Sequence, residues 1–268
     1  MSTLPENNSQ QLKDAQLNLL KDFIFFCKKN KLRYYLVYGS ALGAVRHLGF
    51  IPWDDDIDVG MPRNDYEKFI ELWSKSGSNK KLFLQTTSTD PHFPLLYAKL
   101  RLNGSLFLES YFKHLAMHHG IFIDIFPFDG VAENRLQRMY SRIMVRSLKR
   151  LIISKLEIRG RNLLFETLLY LISRIIPIGV LTKMAKKIVT AHRYDESRKV
   201  SCLVEDQIPV DRSVFGVGKI GEFEGMTIVL PSEVEEYLTM MYGDYMSIPK
   251  VSERLCHAVD AISFENKL

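Results

Sequence analysis

The chain has 268 residues, and its 46% hydrophobic and 11% aromatic content is that of a globular protein with a buried core. Three widely separated cysteines, Cys27, Cys202 and Cys256, form no CxxC pair, which argues against a disulfide framework and against a cysteine zinc site. The polar N-terminus, MSTLPENNSQQ, lacks the apolar stretch of a secretory signal. These features favour a protein of the reducing cytoplasm.

The first half of the chain alternates between helical and strand-like patterns. Apolar residues at helical spacing predict helices over residues 9–29, 41–48 and 63–76. Apolar or alternating runs predict strands at 33–40, 56–59, 82–87, 95–102, 104–110 and 120–130. This mixture predicts an α+β fold.

The second half of the chain is predicted to begin with helices and to continue with a strand and a further helix. The apolar run at 163–181 contains Glu166, Arg174 and Pro177, which argue against a membrane span and favour buried or interfacial helices. Residues 223–231 predict a strand. Ser232, with Glu235 three residues later, predicts a capping box for a helix that Gly243 ends.

The net charge of +5 conceals an uneven distribution. Residues 135–199 contain 16 Lys or Arg and 4 Asp or Glu, a local charge of +12, which leaves −7 for the remainder. Five cations, which we call the basic stripe, fall on one face of a predicted helix: Arg135, Arg138, Arg142, Arg146 and Lys149. The stripe predicts contact with an anionic membrane, at the inner face of the cell membrane, or with a lipid-linked pyrophosphate; a solvated helix face is the alternative.

The segment FIPWDDDIDVG (50–60) carries four carboxylates within five positions between apolar residues. Asp56 and Asp58 alternate with Ile57 and Val59, so the two carboxylates point to one face of a predicted strand. Two such groups repel each other on a buried face unless a divalent cation binds them, and hard oxygen ligands favour Mg²⁺. An EF-hand loop is excluded because its required glycine and glutamate positions are Val59 and Asp65.

Gly39 and Ser40 precede this acidic pair, and Asp124 lies inside the apolar run GIFIDIFPFDG. A glycine-serine turn followed by an Asp-x-Asp pair and a third carboxylate on another strand is the arrangement of a nucleotidyltransferase fold. Four cations on adjoining elements are candidates for neutralising phosphate charge: Arg46, Arg63, Lys99 and Arg101. Four aromatic residues are candidates for binding a quaternary ammonium group: Tyr38, Phe50, Trp53 and Tyr97.

These residues resemble the LicD family, the phosphocholine transferases of bacterial surface polysaccharides and teichoic acids, which includes fukutin-type polyol-phosphate transferases. The match runs through YGSALGAVRHLGFIPWDDDIDVGMPRNDYEKF (38–69) and IDIFPFD (123–129). It continues in FEG (223–225), the later Pro231, and YLTMMYGDYMSIP (237–249) with His257 behind it.

The resemblance implies a nucleotidyltransferase-like mixed β-sheet flanked by helices, with the basic helical segment as an insertion. The expected parts are a catalytic core over 1–132, the helical segment over 133–200, and a C-terminal part over 201–268 that completes the core. The expected reaction transfers phosphocholine from CDP-choline to a sugar hydroxyl of a teichoic acid or lipopolysaccharide precursor. The partners are therefore CDP-choline and a lipid-linked glycan acceptor.

The same resemblance assigns the site residues. Asp56, Asp58 and Asp124 would be catalytic and would hold Mg²⁺, or Mn²⁺, in a two-metal site. The substrate-binding candidates are Gly39, Ser40, Arg46, Trp53, Asp55, Arg63 and Lys99. The alternatives are a polyol-phosphate transferase using CDP-ribitol, a nucleotidyltransferase using CTP or ATP, and a catalytically silent glycan- or membrane-binding module. Nucleic-acid binding is not expected, because the aromatic residues do not interleave with the basic stripe as a stacking platform.

Overall fold

The computed structural model describes residues 6–76, 80–156, 170–254 and 257–264. Its helices are α1 (Glu6–Asn30), α2 (Tyr38–His47), α3 (Arg63–Lys75), α4 (Arg135–Lys155), α5 (Ile178–Val189), α6 (Arg212–Phe215) and α7 (Val234–Tyr242). Its strands are β1 (Tyr35–Leu36), β2 (Asp58–Pro62), β3 (Leu82–Gln85), β4 (Ala98–Leu102), β5 (Leu106–Glu109), β6 (Phe122–Gly130), β7 (Lys199–Ser201), β8 (Val210–Asp211), β9 (Lys219–Phe223), β10 (Met226–Leu230) and β11 (Val259–Ser263).

A mixed seven-stranded sheet forms the centre of the molecule. Its order is β1-β2-β6-β4-β3, with β7 beside β6 and β8 beside β7. Strands β2 and β6 are parallel, whereas the other pairs are antiparallel. Two smaller sheets, β9–β10 and β5–β11, lie apart from it. The predicted α+β, nucleotidyltransferase-like class is therefore confirmed.

Strand β6 is covered on both faces, which explains why its sequence is almost continuously apolar. Phe126 and Phe128 pack against Tyr38 and Phe215 with ring centroids 5.3 and 4.8 Å apart. Because side chains alternate along a strand, Ile125 and Pro127 point to the opposite face. Helices α1 and α3 both contact β6, and they pack together through Phe23 and Phe69. The acidic residue inside β6 is thus held in a rigid, dry part of the core.

Several element boundaries differ from the sequence predictions. The strand predicted at 33–40 covers only Tyr35–Leu36, because the chain turns at Tyr38 (φ 49°) and continues as α2. The strand predicted at 223–231 begins only at Met226, because Glu224 and Gly225, at φ 50° and 73°, form the turn of a hairpin between β9 and β10. The strand predicted at 56–59 begins only at Asp58.

The helix predicted after Ser232 exists, but its predicted capping box is wrong. Helix α7 begins at Val234 without a side-chain cap. The Ser232 hydroxyl instead accepts a hydrogen bond from the Gly218 amide at 3.0 Å, which ties the helix start to the β9–β10 hairpin. Gly243 ends the helix at φ 68°, as predicted.

The basic stripe on α4 is largely paired within the chain, rather than forming an open row of five cations. Arg142 and Arg146 both pair with Asp206, and Lys149 pairs with Glu205 at 2.7 Å. Arg138 donates to the carbonyls of Ala132 and Glu133. Four stripe members thus fasten α4 to neighbouring backbone and to the 203–206 turn.

Helices α4 and α5 pack against each other through Leu148, Ile152, Leu181 and Ala185. Most of the apolar run predicted over 163–181 lies outside the described residues, as does Cys256. Within the described parts of the chain, no helix has the length and apolar character needed to cross a bilayer.

Candidate active site

The acidic loop that leads into β2 is held from three directions. The buried Gln16 of α1 donates its side-chain amide to the Asp55 carbonyl at 2.7 Å. The Ser40 hydroxyl of α2 accepts a hydrogen bond from the Asp58 amide at 2.8 Å. His257, just before β11, donates its backbone amide to the Asp55 carboxylate at 3.1 Å, and its ring nitrogen Nδ1 lies 2.8 Å from that carboxylate. These contacts therefore hold the loop, and with it the carboxylates of Asp54, Asp56 and Asp58, in place.

Strand register brings the three predicted metal ligands together. Asp58 on β2 stands directly beside Asp124 on the parallel strand β6, and Lys99 on β4 stands on the other side of Asp124. Asp56, Asp58 and Asp124 each offer a carboxylate oxygen, and these atoms lie within 4.8 Å of one another. We call these three residues the acidic cluster. Asp58 and Asp124 are 9% and 4% exposed, so the cluster is poorly solvated.

Burial and mutual repulsion raise the pKa values of the three carboxyl groups of the acidic cluster and of Asp54. Burial, followed by repulsion from Asp56 and Asp55, raises the pKa of Asp54 to about 8. Burial raises the pKa of Asp124 to about 6, although Lys99 opposes the shift. The pKa values of Asp56 and Asp58 are also raised, mainly by burial. Such a group of acids is unfavourable when ionised without a counter-charge.

The acidic cluster fits a divalent cation. All three ligands offer carboxylate oxygens, the donor type that Mg²⁺ and Mn²⁺ prefer. Among the described residues, Asp124 Oδ1 is buried without accepting a hydrogen bond, although Lys99 Nζ lies 3.0 Å away. A bound cation would satisfy that oxygen and offset the repulsion between the carboxylates.

A cavity of about 710 Å³ opens above the acidic cluster. Asp54, Asp56 and Asp58 line it on one side. Three cations from other elements, which we call the basic rim, line it as well: Arg46, Lys250 and Arg254. Tyr38, Trp53, Tyr242 and Tyr245 add aromatic surface. A cavity with acidic and basic walls suits a ligand that brings both a metal ion and phosphate groups.

Gly39 and Arg46 lie in this cavity, as the sequence predicted. A methyl group on Gly39 would come within 2.7 Å of the Asp54 carboxylate, so glycine is needed for this close approach. Arg46 donates to the carbonyls of Tyr245 and Ser247, which anchors the 245–247 backbone to α2.

Trp53 also lines the cavity, but its environment differs from the one expected for a free ammonium-binding ring. The Arg254 guanidinium lies 4.2 Å from the centre of the Trp53 ring, and Arg46 lies 6.0 Å away. Of the other aromatic candidates, Tyr38 lines the same cavity, whereas Tyr97 lines a different one. Phe50 is buried against Phe223, with ring centroids 4.9 Å apart.

The structure does not bring Arg63 into the cavity. Arg63 is 9% exposed and forms a two-pronged ion pair with the fully buried Asp129 at 2.7 and 2.8 Å. It lines a separate cavity of about 460 Å³ between α3 and α5. Because its guanidinium neutralises Asp129, its placement is that of a structural cation rather than a phosphate ligand.

Lys99 and Arg101 lie beneath the acidic cluster rather than in the cavity. Lys99 is 1% exposed, with its ammonium 3.0 Å from Asp124 and 3.2 Å from the centre of the Phe122 ring. Arg101 is fully buried, and it donates to the Gly120 carbonyl at 2.6 Å. The positive charge below Asp124 stabilises its carboxylate when no cation is bound.

Sequence reasoning missed Asp54, Arg254 and His257 as members of the site. Asp54 belongs to the acidic run, yet its place in the cavity depends on how the loop bends. Burial lowers the pKa of His257, but its contact with Asp55 and the charge of Asp56 outweigh burial and raise that pKa to about 9. Arg254 and His257 lie about 200 residues beyond the acidic loop; the resemblance over 237–257 was the signal that linked the two regions.

The mixed sheet and the cavity with acidic and basic walls are those expected of a transferase of the nucleotidyltransferase fold class, and the acidic cluster could hold a divalent cation. The family model described as "LicD/FKTN/FKRP, nucleotidyltransferase domain" matches residues 31–149, so this region is similar to LicD proteins. The match supports the predicted resemblance to that family and the predicted phosphotransferase class.

The full-length relative among the comparisons comes from Haemophilus influenzae. It is the "Lipopolysaccharide cholinephosphotransferase LicD", 27% identical over 258 residues that cover 91% of this chain and 93% of the relative. Uncharacterized proteins of Rickettsia typhi and Rickettsia prowazekii are 43% and 47% identical over shorter stretches of 54 and 47 residues. These stretches cover 20% and 18% of this chain, and 18% of each relative.

Proposed function

We propose that this chain transfers phosphocholine from CDP-choline to a sugar hydroxyl of a cell-surface glycan precursor, a lipopolysaccharide or a teichoic acid, and releases CMP. The observation that carries the proposal is the acidic cluster at the wall of a cavity that also has a basic rim. The name of the Haemophilus relative supports choline as the headgroup and a glycan as the acceptor. We place the enzyme in the cytoplasm, where CDP-choline would be available.

The residues that would bind the donor divide into two groups by charge. Asp56 and Asp58 at the cavity wall, with the buried Asp124 beside Asp58, would hold Mg²⁺ or Mn²⁺, as one or two ions, and the bound cation would neutralise charge on the diphosphate. The basic rim, with Arg46 and Arg254 nearest Trp53, would bind the phosphate oxygens from the other side. Gly39 allows close approach of the ligand to the α2 backbone, and Ser40 positions β2 through the Asp58 amide.

In the proposed reaction, the acceptor hydroxyl oxygen forms a bond to the phosphorus that carries choline. The bond between this phosphorus and the oxygen of CMP breaks, and CMP leaves with the electron pair. The hydroxyl proton passes to a carboxylate of the acidic cluster, for which we assign Asp124, the member on the second strand.

Thermal unfolding with candidate donors tests the proposal without the acceptor. We expect CDP-choline with Mg²⁺ to raise the unfolding temperature more than either alone, because a ligand that binds the folded state stabilises it. CDP-ribitol, CTP and ATP, each with and without Mg²⁺, are the comparisons. A larger shift with CDP-ribitol or CTP would replace the proposed donor, and no shift with any nucleotide would favour a catalytically silent module.

Asp56→Asn tests the acidic cluster itself. The substitution removes one ligand charge while keeping the side-chain size, so we expect phosphocholine transfer to fall by about 10³-fold or more and the fold to persist. The matched control is Asp260→Asn, which removes the same charge from an aspartate that pairs with Lys113 and does not line the cavity. Transfer is measured as CMP release, and the fold is checked by thermal unfolding. Full activity of the Asp56 variant would contradict the metal assignment.

A further inference from the structure

Helix α4 has a second apolar face that points away from the protein. Four residues form it, and we call them the outer face of α4: Leu136, Met139, Tyr140 and Ile143, which are 68, 53, 63 and 51% exposed. Their spacing of three, one and three places them on one side of the helix. Val145, Leu148 and Ile152 lie on the opposite side and are buried. A single helix therefore carries one packed apolar face and one exposed apolar face.

The basic stripe fixes the direction of the outer face. At about 100° per residue, the stripe lies roughly a quarter turn from the outer face. Arg142 and Arg146 bind Asp206, and Lys149 binds Glu205. Because these pairs prevent α4 from rotating, the outer face cannot turn inward to bury its apolar side chains.

The helix that carries the outer face is positively charged. Residues 135–156 contain seven Lys or Arg and no Asp or Glu. Among the described residues, the carboxylates that pair with the basic stripe are Asp206 and Glu205. Because Asp206 is shared by two arginines, α4 keeps a net positive charge beside its exposed apolar side chains. Exposed apolar residues within a cationic surface are the pattern of a helix that lies in the interface of an anionic membrane.

We propose that the outer face of α4 docks on the surface of an anionic lipid bilayer. Leu136, Met139 and Ile143 insert between the headgroups and the acyl chains, and Tyr140 provides a ring that suits the headgroup level. A second copy of the chain fits less well, because two cationic surfaces without carboxylates would face each other.

Sedimentation with lipid vesicles tests the proposal on the full chain and needs no substrate, so its result is independent of the proposed reaction. We expect binding to phosphatidylcholine vesicles that contain phosphatidylglycerol, and weaker binding to phosphatidylcholine alone. The double variant Leu136→Glu/Ile143→Glu should bind the anionic vesicles at least about tenfold more weakly, because it loses two apolar contacts and gains two negative charges. Its thermal unfolding should match that of the unmodified chain.

The matched control is Ile220→Glu, which adds a charge at an apolar residue that is 70% exposed on the β9–β10 hairpin. We expect this variant to sediment like the unmodified chain. The proposal is overturned if the unmodified chain does not bind anionic vesicles, or if the double variant binds them equally well. It is also overturned if sedimentation velocity shows a dimer that the double variant abolishes while vesicle binding stays unchanged.

Discussion

Arg254 covers one face of Trp53 at the mouth of the cavity, and its guanidinium is one of three cations in the basic rim. A charge-assisted hydrogen bond to a phosphate oxygen contributes about 1.5–3 kcal/mol. We therefore expect Arg254→Ala to raise the KM for CDP-choline by about 10- to 100-fold, with a smaller change in kcat. Steady-state kinetics at saturating acceptor measure this split.

Arg193→Ala is the matched control for this variant, because Arg193 is an exposed arginine that pairs with Glu196 outside the cavity. Its KM should equal that of the unmodified enzyme. If Arg254→Ala lowers the unfolding temperature but leaves the KM within about threefold, the guanidinium serves only to pack against Trp53.

The buried ion pair between Arg63 and Asp129 should contribute to the stability of the fold. Asp129→Asn leaves the Arg63 guanidinium with only the partly exposed Glu67 as a counter-charge, so the free energy of unfolding should fall by about 3–5 kcal/mol. Asp65→Asn, which disrupts the exposed pair with Arg33, should cost less than about 1 kcal/mol. Urea unfolding measures both. If Asp129→Asn instead raises the KM for CDP-choline and leaves stability unchanged, Arg63 binds the donor.

At the scale of elements, the β9–β10 hairpin supports the loop that leads into the acidic run. The Glu224 amide donates to the Leu48 carbonyl at 2.8 Å, and the Glu224 carboxylate accepts from the Phe50 amide at 3.1 Å. Glu224 also fills the space beside Gly49, where a methyl group would lie 2.1 Å from its carboxylate. The FEG motif is thus explained as a turn that holds a distant loop.

Glu224→Ala should leave the Phe50 amide without its partner and lower the free energy of unfolding by about 1–3 kcal/mol. Transfer activity should fall as well, because the loop over 48–57 loses one of its supports. Glu224→Gln keeps an oxygen acceptor at the same position and should restore most of both. Equal losses in the two variants would show that the negative charge of Glu224, rather than its hydrogen bond, supports the loop.

The helices and strands were predicted from the sequence only in part. Periodicity located α1, α3 and strands β2, β3, β4 and β6 of the main sheet, but not the short strands β7 and β8. The nucleotidyltransferase arrangement, rather than periodicity, grouped Asp56, Asp58 and Asp124, and the structure places Asp58 and Asp124 in register on parallel strands. Periodicity could not show that the basic stripe binds Asp206 and Glu205, because pairing over about 60 residues leaves no periodic signal.

The stability of the whole molecule should depend on pH through the buried ionisable groups in and around the acidic cluster. Folding raises the pKa of Asp54 to about 8 and that of Asp124 to about 6, chiefly by burial. Both values lie above the ordinary range near 4 that applies to the unfolded chain. A raised carboxyl pKa stabilises the fold below pH 4 and loses that contribution as pH rises through the folded value. For Asp124 the loss is on the order of 3 kcal/mol. His257, with its pKa raised to about 9, acts in the same direction.

Without metal, the protein should therefore become less stable as the pH rises from about 5.5 to 8. Mg²⁺ binds the ionised carboxylates, so it should raise the unfolding temperature more at pH 8 than at pH 5.5, because protons compete for the same oxygens at the lower pH. Thermal unfolding at the two pH values, with MgCl₂ against NaCl of equal ionic strength, measures the difference. In Asp58→Asn, which removes one charge from the acidic cluster, both the pH dependence and the Mg²⁺ effect should shrink. An Mg²⁺ shift of equal size at both pH values, or one that persists in Asp58→Asn, would place the cation away from these carboxylates.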